Sequence, residues 1–388
     1  MRVTGSIRIG VCAGAALCVC WTGPQAQPEP VPVPGVIIAH REASTENYIG
    51  SPSLAVLPDG SYVASHDFFG PGPDGNTVVV YRSEDRGATW RESARFPGFW
   101  ANLFVHCGAL YCMGVSREHG HVVIRRSDDG GRSWTEPVDG RSGLLLADAK
   151  YHTAPVPMVV HRGRLWRAFE DAEGPGGWGS HFRAFVMSAP LESDLLRADS
   201  WSRTNSLPGD PEWLMGQFGG WLEGNVVMAP DGRLLNLLRV EVPSQPERAA
   251  VAEVDTDAGV LRFRPREGFL ELPGAAKKFT IRHDPVSDLY WSIVNYVPPE
   301  FADNHPGETR NTVALVSSPD LLDWTVRRIL IQHPEVKFHG YQYWDWLILG
   351  ADILAVSRTA HDDGLGGARN FHDANFLTFH RIEGFRQP

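Results

Sequence analysis

Beyond its first 20 residues the chain contains only two cysteines, Cys107 and Cys112. Two cysteines are too few to build a disulfide-stabilised fold, and their C-x4-C spacing without a matched histidine pair is not a zinc motif. A disulfide between them and two buried thiols are both compatible with the hairpin that contains them. We therefore predict a domain held together by its hydrophobic core, with no metal and no cofactor.

The chain also lacks an apolar run long enough to span a membrane. Its most apolar segment, residues 9–21, is short, follows the basic Arg2 and Arg8, and precedes a polar, proline-rich stretch. This pattern is typical of an export signal. We predict a signal peptide over residues 1–27, a single domain over residues 28–388, and a secreted or periplasmic protein without a lipoprotein anchor.

Positive charge is in deficit, with 36 Lys and Arg against 46 Asp and Glu and a net charge of -10. Such a balance argues against nucleic acid as a partner. A local group of arginines can still bind an acidic ligand, because local fields can override net charge. We expect a monomer whose partner is a saccharide.

The chain is rich in glycine, with 40 residues, which indicates many turns. Residues 83–90 and 127–134 both read Ser-x-Asp-x-Gly-x-(Thr/Ser)-Trp, and residues 318–324 are a degraded copy. This is the Asp-box of sialidase-like blades, in which the Asp accepts backbone N–H bonds, Gly supplies a positive φ and Trp packs between blades. The motif predicts an all-β β-propeller of four-stranded antiparallel blades.

Hairpins that recur every 50 to 70 residues, roughly, set the number of blades. Six units begin near Ser51, Asn102, His152, Trp221, Lys278 and His339. A seventh blade would require dividing residues 183–216, which contain no clear hairpin. The apolar residues 36–39 are expected to close the ring against the last unit.

The strand order of a blade predicts which side chains meet at the central channel. The innermost strand of a blade runs away from one face of the propeller, and the next strand returns to it. The residues that precede the innermost strand and those that follow the next strand therefore emerge together at that face. This face is rich in histidine, arginine and carboxylate, which favours a polar ligand site. Among the residues that the rule places at this face, directly or one strand further out, the site candidates are His40, Tyr48, His66, Arg126, His152, Glu223, Arg239, Arg310 and Arg358. The rule also places Tyr343 there, without an assigned role.

Six stretches that together span nearly the whole domain resemble one group of sialidase-superfamily propellers. The group removes L-rhamnose that caps D-glucuronic acid in gum arabic and arabinogalactan, and its members are described as α-L-rhamnosidases or L-rhamnose-α-1,4-D-glucuronate lyases. Those propellers are described as seven-bladed, whereas six units are counted here. The matching stretches are residues 48–55, 64–71, 221–225, 278–285, 356–360 and 372–381.

The resemblance implies an exo-acting enzyme with a histidine pair and an arginine clamp. A uronate has an acidic C5–H when arginine neutralises its carboxylate, and histidine can take that proton and deliver one to the departing oxygen. His40 and His66 are the candidates for this elimination, and Glu223 is the candidate carboxylate if the reaction is hydrolysis. Arg126, Arg282 and Arg310 are candidate carboxylate clamps.

Two alternatives stay open. Exo-sialidases use a tyrosine–glutamate pair, an acidic aspartate and three arginines, and Arg239, Arg310 and Arg358 can imitate that triad. The chain, however, has no Phe/Tyr-Arg-Ile-Pro motif near its N-terminus, where a sialidase supplies its first arginine. A non-catalytic carbohydrate-binding propeller would keep the arginines and tryptophans without needing His40 and His66.

Overall fold

The computed structural model describes residues 31–387. The predicted signal peptide and the three cysteines within it lie outside these residues. Within the described part of the chain no helix is both long and apolar enough to cross a membrane. Both remaining thiols are free, with Cys107 exposed and Cys112 buried, so neither the disulfide nor the pair of buried thiols is found.

Pro32–Pro388 forms one compact unit built from six antiparallel sheets, which confirms the predicted six-bladed propeller. The strands follow in chain order. β1 (Val36–His40) comes first. Blade one contains β2 (Tyr48–Ile49), β3 (Ser53–Val56), β4 (Tyr62–Phe69), β5 (Thr77–Ser83) and β6 (Arg91–Pro97). Blade two contains β7 (Phe99–His106), β8 (Ala109–Val115), β9 (Val122–Ser127) and β10 (Leu144–Leu146).

Like blade one, in which β2 and β3 both pair β4, the third and fourth blades each contain an interrupted strand. Blade three contains β11 (Tyr151–His152), β12 (Val159–His161), β13 (Arg164–Asp171), β14 (Arg183–Pro190) and β15 (Ser202–Arg203). Blade four contains β16 (Gly220–Met228), β17 (Leu234–Glu241), β18 (Arg248–Asp255), β19 (Val260–Arg262) and β20 (Phe269–Glu271). Their split strands are β11 with β12, which both pair β13, and β19 with β20, which both pair β18.

The last two blades complete the ring. Blade five contains β21 (Ile281–Asp284), β22 (Leu289–Asn295), β23 (Thr312–Ser318) and β24 (Thr325–Gln332). Blade six contains β25 (Gly340–Leu349), β26 (Asp352–Ala360) and β27 (Phe376–Ile382), with β1 as its outermost strand. The helical segments are short turns at Ala43–Thr45, Ala198–Ser200, Trp213–Gly216 and Pro299–Phe301.

The Asp-box turns have the geometry that the motif predicts. Asp85 Oδ1 accepts the N–H of Thr89 at 2.8 Å, and Asp129 Oδ1 accepts the N–H of Ser133 at 2.9 Å. The tryptophans that end the two boxes each pack against the preceding blade: Trp90 lies 5.4 Å from the ring of Phe379, and Trp134 lies 5.3 Å from Phe96. Trp90 and Trp134 are therefore equivalent, as predicted.

The ring is closed in two places, at its outer edge and near its axis. At the outside, β1 pairs with β27, with Val36 opposite Phe379, which confirms the expected closing strand. Near the axis, Asp345 of blade six accepts hydrogen bonds from Ser53 Oγ at 2.7 Å and from the Leu54 N–H at 3.0 Å in blade one. The first and last blades are thus joined by a backbone ladder and by a buried carboxylate.

Cationic side chains fill the channel around Asp345. Arg282 Nη2 lies 3.6 Å from Asp345 Oδ1, and Lys278 Nζ donates to Trp344 O at 2.6 Å. Burial, opposed by the negative charge of Asp345, lowers the pKa of Lys278 to about 8. Lys277 and Lys278 are both buried.

Replacing Asp345 should destabilise the ring, because Asp345→Ala leaves Lys278 and Arg282 without their carboxylate. We expect the free energy of unfolding to fall by about 3–5 kcal/mol, the usual cost of breaking a buried ion pair from one side. Urea denaturation followed by tryptophan fluorescence measures this loss. The exposed hairpin variant Asp231→Ala is the control, and equal stability of the two variants would show that the channel carboxylate contributes nothing.

Candidate active site

A cavity of about 770 Å³ opens at the face where the innermost strands begin, opposite the Asp-box turns. Its walls come from blades four, five and six and from the loops of blades two and three. The lining side chains that bear on its chemistry are Glu118, Trp178, Arg239, Glu241, His305, Glu308, Arg310, Tyr343 and His372.

Three innermost strands carry the same irregularity close to this face. In β7, β16 and β25 the pairing with the next strand shifts by one residue, which is the signature of a β-bulge. The residues Trp100, Glu223 and Tyr343 lie in these bulges with φ values of 48°, 58° and 59°. Left-handed backbone is strained for a non-glycine residue and is concentrated at functional sites. The bulges thus mark three side chains that the fold positions at some cost.

Glu223 is the centre of a buried hydrogen-bonded cluster. Tyr343 Oη donates to Glu223 Oε1 at 2.7 Å, and Arg239 Nη1 donates to Glu223 Oε2 at 2.9 Å. Arg239 also donates to Ala276 O at 3.0 Å, which fixes the plane of its guanidinium. Both oxygens of Glu223 are therefore engaged, one by a phenol and the other by a guanidinium.

The charges of this cluster oppose the effect of burial. Burial raises the pKa of Glu223, but the positive charge of Arg239 and the Tyr343 hydrogen bond outweigh it and hold the pKa below its ordinary value. Burial, reinforced by the negative charge of Glu223, raises the pKa of Tyr343 to about 12. At neutral pH the pair therefore consists of a carboxylate and a neutral phenol.

Two further arginines approach Tyr343 without an acidic partner. The guanidinium of Arg358 lies 4.7 Å from the Tyr343 ring centroid and donates to His372 O at 2.7 Å. Arg310 donates to Gly307 O at 2.9 Å and to the side chain of Gln342. Among residues 31–387, no carboxylate forms an ion pair with either arginine. Burial, with the positive charge of Arg239 and Arg358, lowers the pKa of Arg310 to about 9. This wall of the cavity favours an anion.

Aromatic side chains line the opposite wall. Trp178 is about half exposed at the cavity, and its ring meets His152 at 5.4 Å and Phe182 at 5.1 Å. Behind it, His152 Nδ1 lies 2.8 Å from Glu170 Oε2, and Trp100 packs 4.3 Å from the same imidazole. An exposed indole beside a polar cavity is suited to stacking on the apolar face of a sugar ring.

The structure brings four of the predicted residues together: Glu223 and the arginines Arg239, Arg310 and Arg358. His152 is close to them but buried behind the aromatic wall. Tyr48 is also buried, packs 5.4 Å from Phe69 and receives a hydrogen bond from Arg369, away from the cavity.

The two predicted histidine bases lie elsewhere. His66 is 1% exposed, its ring packs 4.6 Å from Phe68, and Tyr81 contacts its Nε2 at 3.4 Å. Its burial lowers its pKa to about 4. His40 ends β1, the outermost strand of blade six, where its Nε2 lies 2.9 Å from Asp363 Oδ2. Neither histidine lines the cavity, because His66 packs on the face of its own blade against Phe68 and Tyr81 and the closing strand places His40 at the periphery.

Two predicted clamps lie at the opposite end of the propeller. Arg126 is the last residue but one of the third strand of its blade and pairs with Asp128 in the adjoining Asp-box, at 2.7 Å. Arg282 lies in a strand that runs away from the cavity, and it lines a different recess with His283 and Val286. For both, strand direction sets the location, so neither meets the expectation of a carboxylate clamp in the cavity.

Tyr343, which the strand rule places at the channel face, is the main residue that the sequence reasoning left without a role in its site. Its position in blade six matches that of Glu223 in blade four, since Gln342 pairs with Arg358 as Leu222 pairs with Arg239. This internal correspondence between the fourth and sixth repeats is a sequence signal that could have selected Tyr343.

Comparisons with known proteins agree on the fold. No family model and no curated protein matches the chain. Among solved structures, it is similar to a Penicillium chrysogenum α-L-arabinanase, with a TM-score of 0.57, 15% identity, and coverage of 93% of this chain and 99% of that one. It is also similar to an α-L-arabinofuranosidase of Fusarium graminearum, with a TM-score of 0.58, 11% identity and coverage of 91% and 98%.

A third similar structure is a leech intramolecular trans-sialidase, with a TM-score of 0.55, 13% identity, and coverage of 91% of this chain and 70% of that one. Identities this low define the fold alone. The chain thus has the fold of the sialidase-like β-propellers, while its chemistry has to be argued from the site.

The pairing of the arginines predicts opposite effects on stability. Arg358→Met removes a buried cation that has no carboxylate partner, so the free energy of unfolding should stay unchanged or rise by about 0.5–2 kcal/mol, as when a functional residue is replaced. Arg239→Met leaves the buried Glu223 carboxylate without its cation and should lower the free energy of unfolding by about 3–5 kcal/mol. Urea denaturation of both variants compares them, and an equal loss in both would contradict the assignment of Arg358 as unpaired.

Proposed function

We propose that the protein is an exo-acting glycosidase that removes a terminal sugar at a site built for a carboxylate, with Tyr343 as nucleophile and Glu223 as its base. The observation that carries this proposal is the hydrogen bond between Tyr343 and Glu223 inside a ring of three buried arginines. The names of the similar structures, an arabinanase, an arabinofuranosidase and a trans-sialidase, support a glycan-processing enzyme in general.

Arg310 and Arg358 argue for an anionic substrate. A buried guanidinium without an acidic partner is costly, and a bound carboxylate supplies the missing charge with the planar, two-pronged geometry that arginine prefers. Sugars that carry a carboxylate are uronic acids and sialic acids. The cavity is large enough for a terminal residue of this size, with Trp178 placed to stack on it.

A phenol suits this substrate better than a carboxylate does. An anionic nucleophile would repel a sugar carboxylate held by the arginines, whereas the neutral Tyr343 does not. As its oxygen bonds to the anomeric carbon, its proton passes to Glu223 Oε1, 2.7 Å away. The bond to the departing sugar oxygen breaks, and that oxygen takes a proton from a carboxyl at the cavity. Glu118, Glu241 and Glu308 line it.

Water then completes the reaction. It attacks the anomeric carbon of the tyrosyl-linked sugar and gives its proton to the carboxylate that protonated the departing oxygen. The bond to the Tyr343 oxygen breaks, and the phenolate takes back its proton from Glu223. Two displacements at one carbon give retention of configuration. The positive charge of Arg239 keeps Glu223 ionised between turnovers, so the base is ready for each cycle.

The rhamnosyl-glucuronate substrate that the sequence suggests also carries a carboxylate, but on the glucuronate next to the terminal rhamnose and not on the sugar that is released. The location of the histidines lowers the support for elimination, since neither His40 nor His66 lines the cavity. Within our proposal, hydrolysis through Tyr343 and Glu223 therefore takes precedence over elimination through histidine.

Substituting the nucleophile and its base tests the proposal. Tyr343→Phe and Glu223→Gln should each lower kcat by about 10²–10⁴-fold, the range expected when a positioned proton-transfer partner is lost. The assay measures sugar released from a sialoside and from gum arabic, chosen to present sialic acid and rhamnosyl-glucuronate ends. Tyr341→Phe, which removes a buried hydroxyl two residues from the nucleophile, is the matched control and should retain activity.

The products distinguish the alternatives. Release of sialic acid or of a uronic sugar with retained configuration supports the proposal. Rhamnose release together with an ultraviolet-absorbing unsaturated uronate, undiminished in Tyr343→Phe, would establish elimination and refute it; loss of that activity in His66→Ala would then assign the base. Binding of either glycan without turnover would instead identify a carbohydrate-binding propeller.

A further inference from the structure

A histidine that has no role in the proposed hydrolysis lines the cavity beside the unpaired arginines. His372 lies in the loop of blade six that leads from β26 to β27, and its side chain is 43% exposed at the cavity. Its carbonyl oxygen accepts hydrogen bonds from Arg358 Nε at 3.1 Å and from Arg358 Nη2 at 2.7 Å. The residue is therefore attached to the wall of the cavity that favours an anion.

The loop around His372 is held by Asn370. Asn370 Oδ1 accepts the N–H groups of His372 and Asp373, both at 2.7 Å, and Asn370 Nδ2 donates to Asp373 Oδ2 at 3.0 Å. The His372 ring packs edge-on against Phe69 at 5.3 Å, and the guanidinium of Arg358 lies 4.7 Å from the centroid of the same ring. These contacts fix the imidazole relative to Arg358.

Asp373 decides which nitrogen of His372 carries the hydrogen. Asp373 Oδ1 lies 2.9 Å from His372 Nδ1. Burial raises the pKa of Asp373, but the hydrogen bond from His372 outweighs it and holds the pKa below its ordinary value. Because an ionised carboxylate can only accept a hydrogen bond, Nδ1 is the nitrogen that carries the hydrogen.

The other nitrogen, His372 Nε2, is a hydrogen-bond acceptor. Burial, with the positive charge of Arg358, lowers the pKa of His372 well below its ordinary value, so the ring is neutral at neutral pH. A neutral imidazole with its hydrogen on Nδ1 has a lone pair on Nε2. No group among residues 31–387 donates to this nitrogen. The cavity thus offers an acceptor beside two arginines, which suits a ligand with a hydroxyl next to a carboxylate.

We propose that His372 Nε2 accepts a sugar hydroxyl beside the carboxylate that Arg310 and Arg358 bind, so that the site selects a terminal hexuronic acid over a sialic acid. In a hexuronic acid, the carbon next to the carboxylate-bearing carbon carries a hydroxyl. In a sialic acid glycoside, the carboxylate-bearing carbon is bonded to a methylene and two ether oxygens, none of which can donate. The inference rests on the proposed function, because it takes the two arginines as the carboxylate site.

Calorimetric titration of the full chain with free sugars tests this inference. The acidic probes are D-glucuronate, D-galacturonate and N-acetylneuraminate, which have no glycosidic bond to cleave; the two uronates differ in the direction of the hydroxyl beside the carboxylate. We expect at least one uronate to bind at least about 10-fold more tightly than N-acetylneuraminate, because a site that hydrogen-bonds a hydroxyl rejects an analogue that lacks it.

Two substitutions separate the acceptor of His372 from its shape. His372→Phe keeps an aromatic ring against Phe69 but removes the acceptor, and it should weaken binding of the preferred uronate by about 3–10-fold, the usual contribution of one neutral hydrogen bond. His372→Gln carries a carbonyl acceptor and should recover part of that loss. The 4-deoxy analogue of the uronate should bind wild type more weakly than the parent sugar, but His372→Phe equally well, because the variant has no partner for the hydroxyl.

The matched control is His283→Phe. His283 is an exposed histidine beside a carboxylate, 3.1 Å from Asp288, outside the cavity, and its replacement should leave the binding of every sugar unchanged. Circular dichroism checks folding; if His372→Phe does not fold, the comparison of the parent and 4-deoxy sugars on wild type carries the test.

D-Glucose, which lacks the carboxylate, distinguishes failure of this inference from failure of the proposed function. Glucose binding as tight as that of the uronates, or no binding of any acidic sugar, would refute the carboxylate site itself. Tighter binding of the uronates than of glucose, combined with equal or tighter binding of N-acetylneuraminate, would overturn only the selection of a hexuronic acid. Equal binding of the parent and 4-deoxy sugars by wild type would overturn the role of His372.

Discussion

The buried ion pair between Glu223 and Arg239 is the interaction on which the candidate site depends. Two charges leave water to form it, and this is favourable only if their remaining hydrogen-bonding positions are filled. Tyr343 fills the second oxygen of Glu223, and the Ala276 carbonyl fills a donor of Arg239. The same contacts orient the phenol and keep the carboxylate ionised, so the arrangement that stabilises the pair also prepares it for proton transfer.

Closure of the ring is what keeps this pair in place. Glu223 comes from blade four, Arg310 from blade five and Tyr343 from blade six, so their distances depend on how the blades are spaced around the axis. The outer ladder between β1 and β27 and the channel carboxylate Asp345 both tie blade six to blade one. Because the ring has no free edge, a change of angle between two blades would have to be absorbed by all the others. The propeller is therefore a rigid frame, and its blades differ from one another in their loops and bulges.

Fold and chemistry are separate kinds of evidence in this protein. Solved structures with 11–15% identity share its architecture and bear names of different glycan-directed activities. A shared fold therefore does not distinguish between these activities. Our proposal therefore rests on charge complementarity: three buried arginines, two of them without an acidic partner, favour an anionic substrate, and a neutral phenol beside a carboxylate favours Tyr343 as the nucleophile.

The sequence by itself determined the six blades, the Asp-box turns with Trp90 and Trp134, the closing strand β1, and the gathering of Glu223 with Arg239, Arg310 and Arg358. These features follow from local turn chemistry and from the alternating direction of strands, both of which are written in short stretches of chain. Only the tertiary structure decided that Tyr343 contacts Glu223 and that His66 and His40 do not line the cavity. A one-residue bulge redirects a side chain, and the radial position of a strand depends on which strand it pairs with. Neither property is local in the sequence.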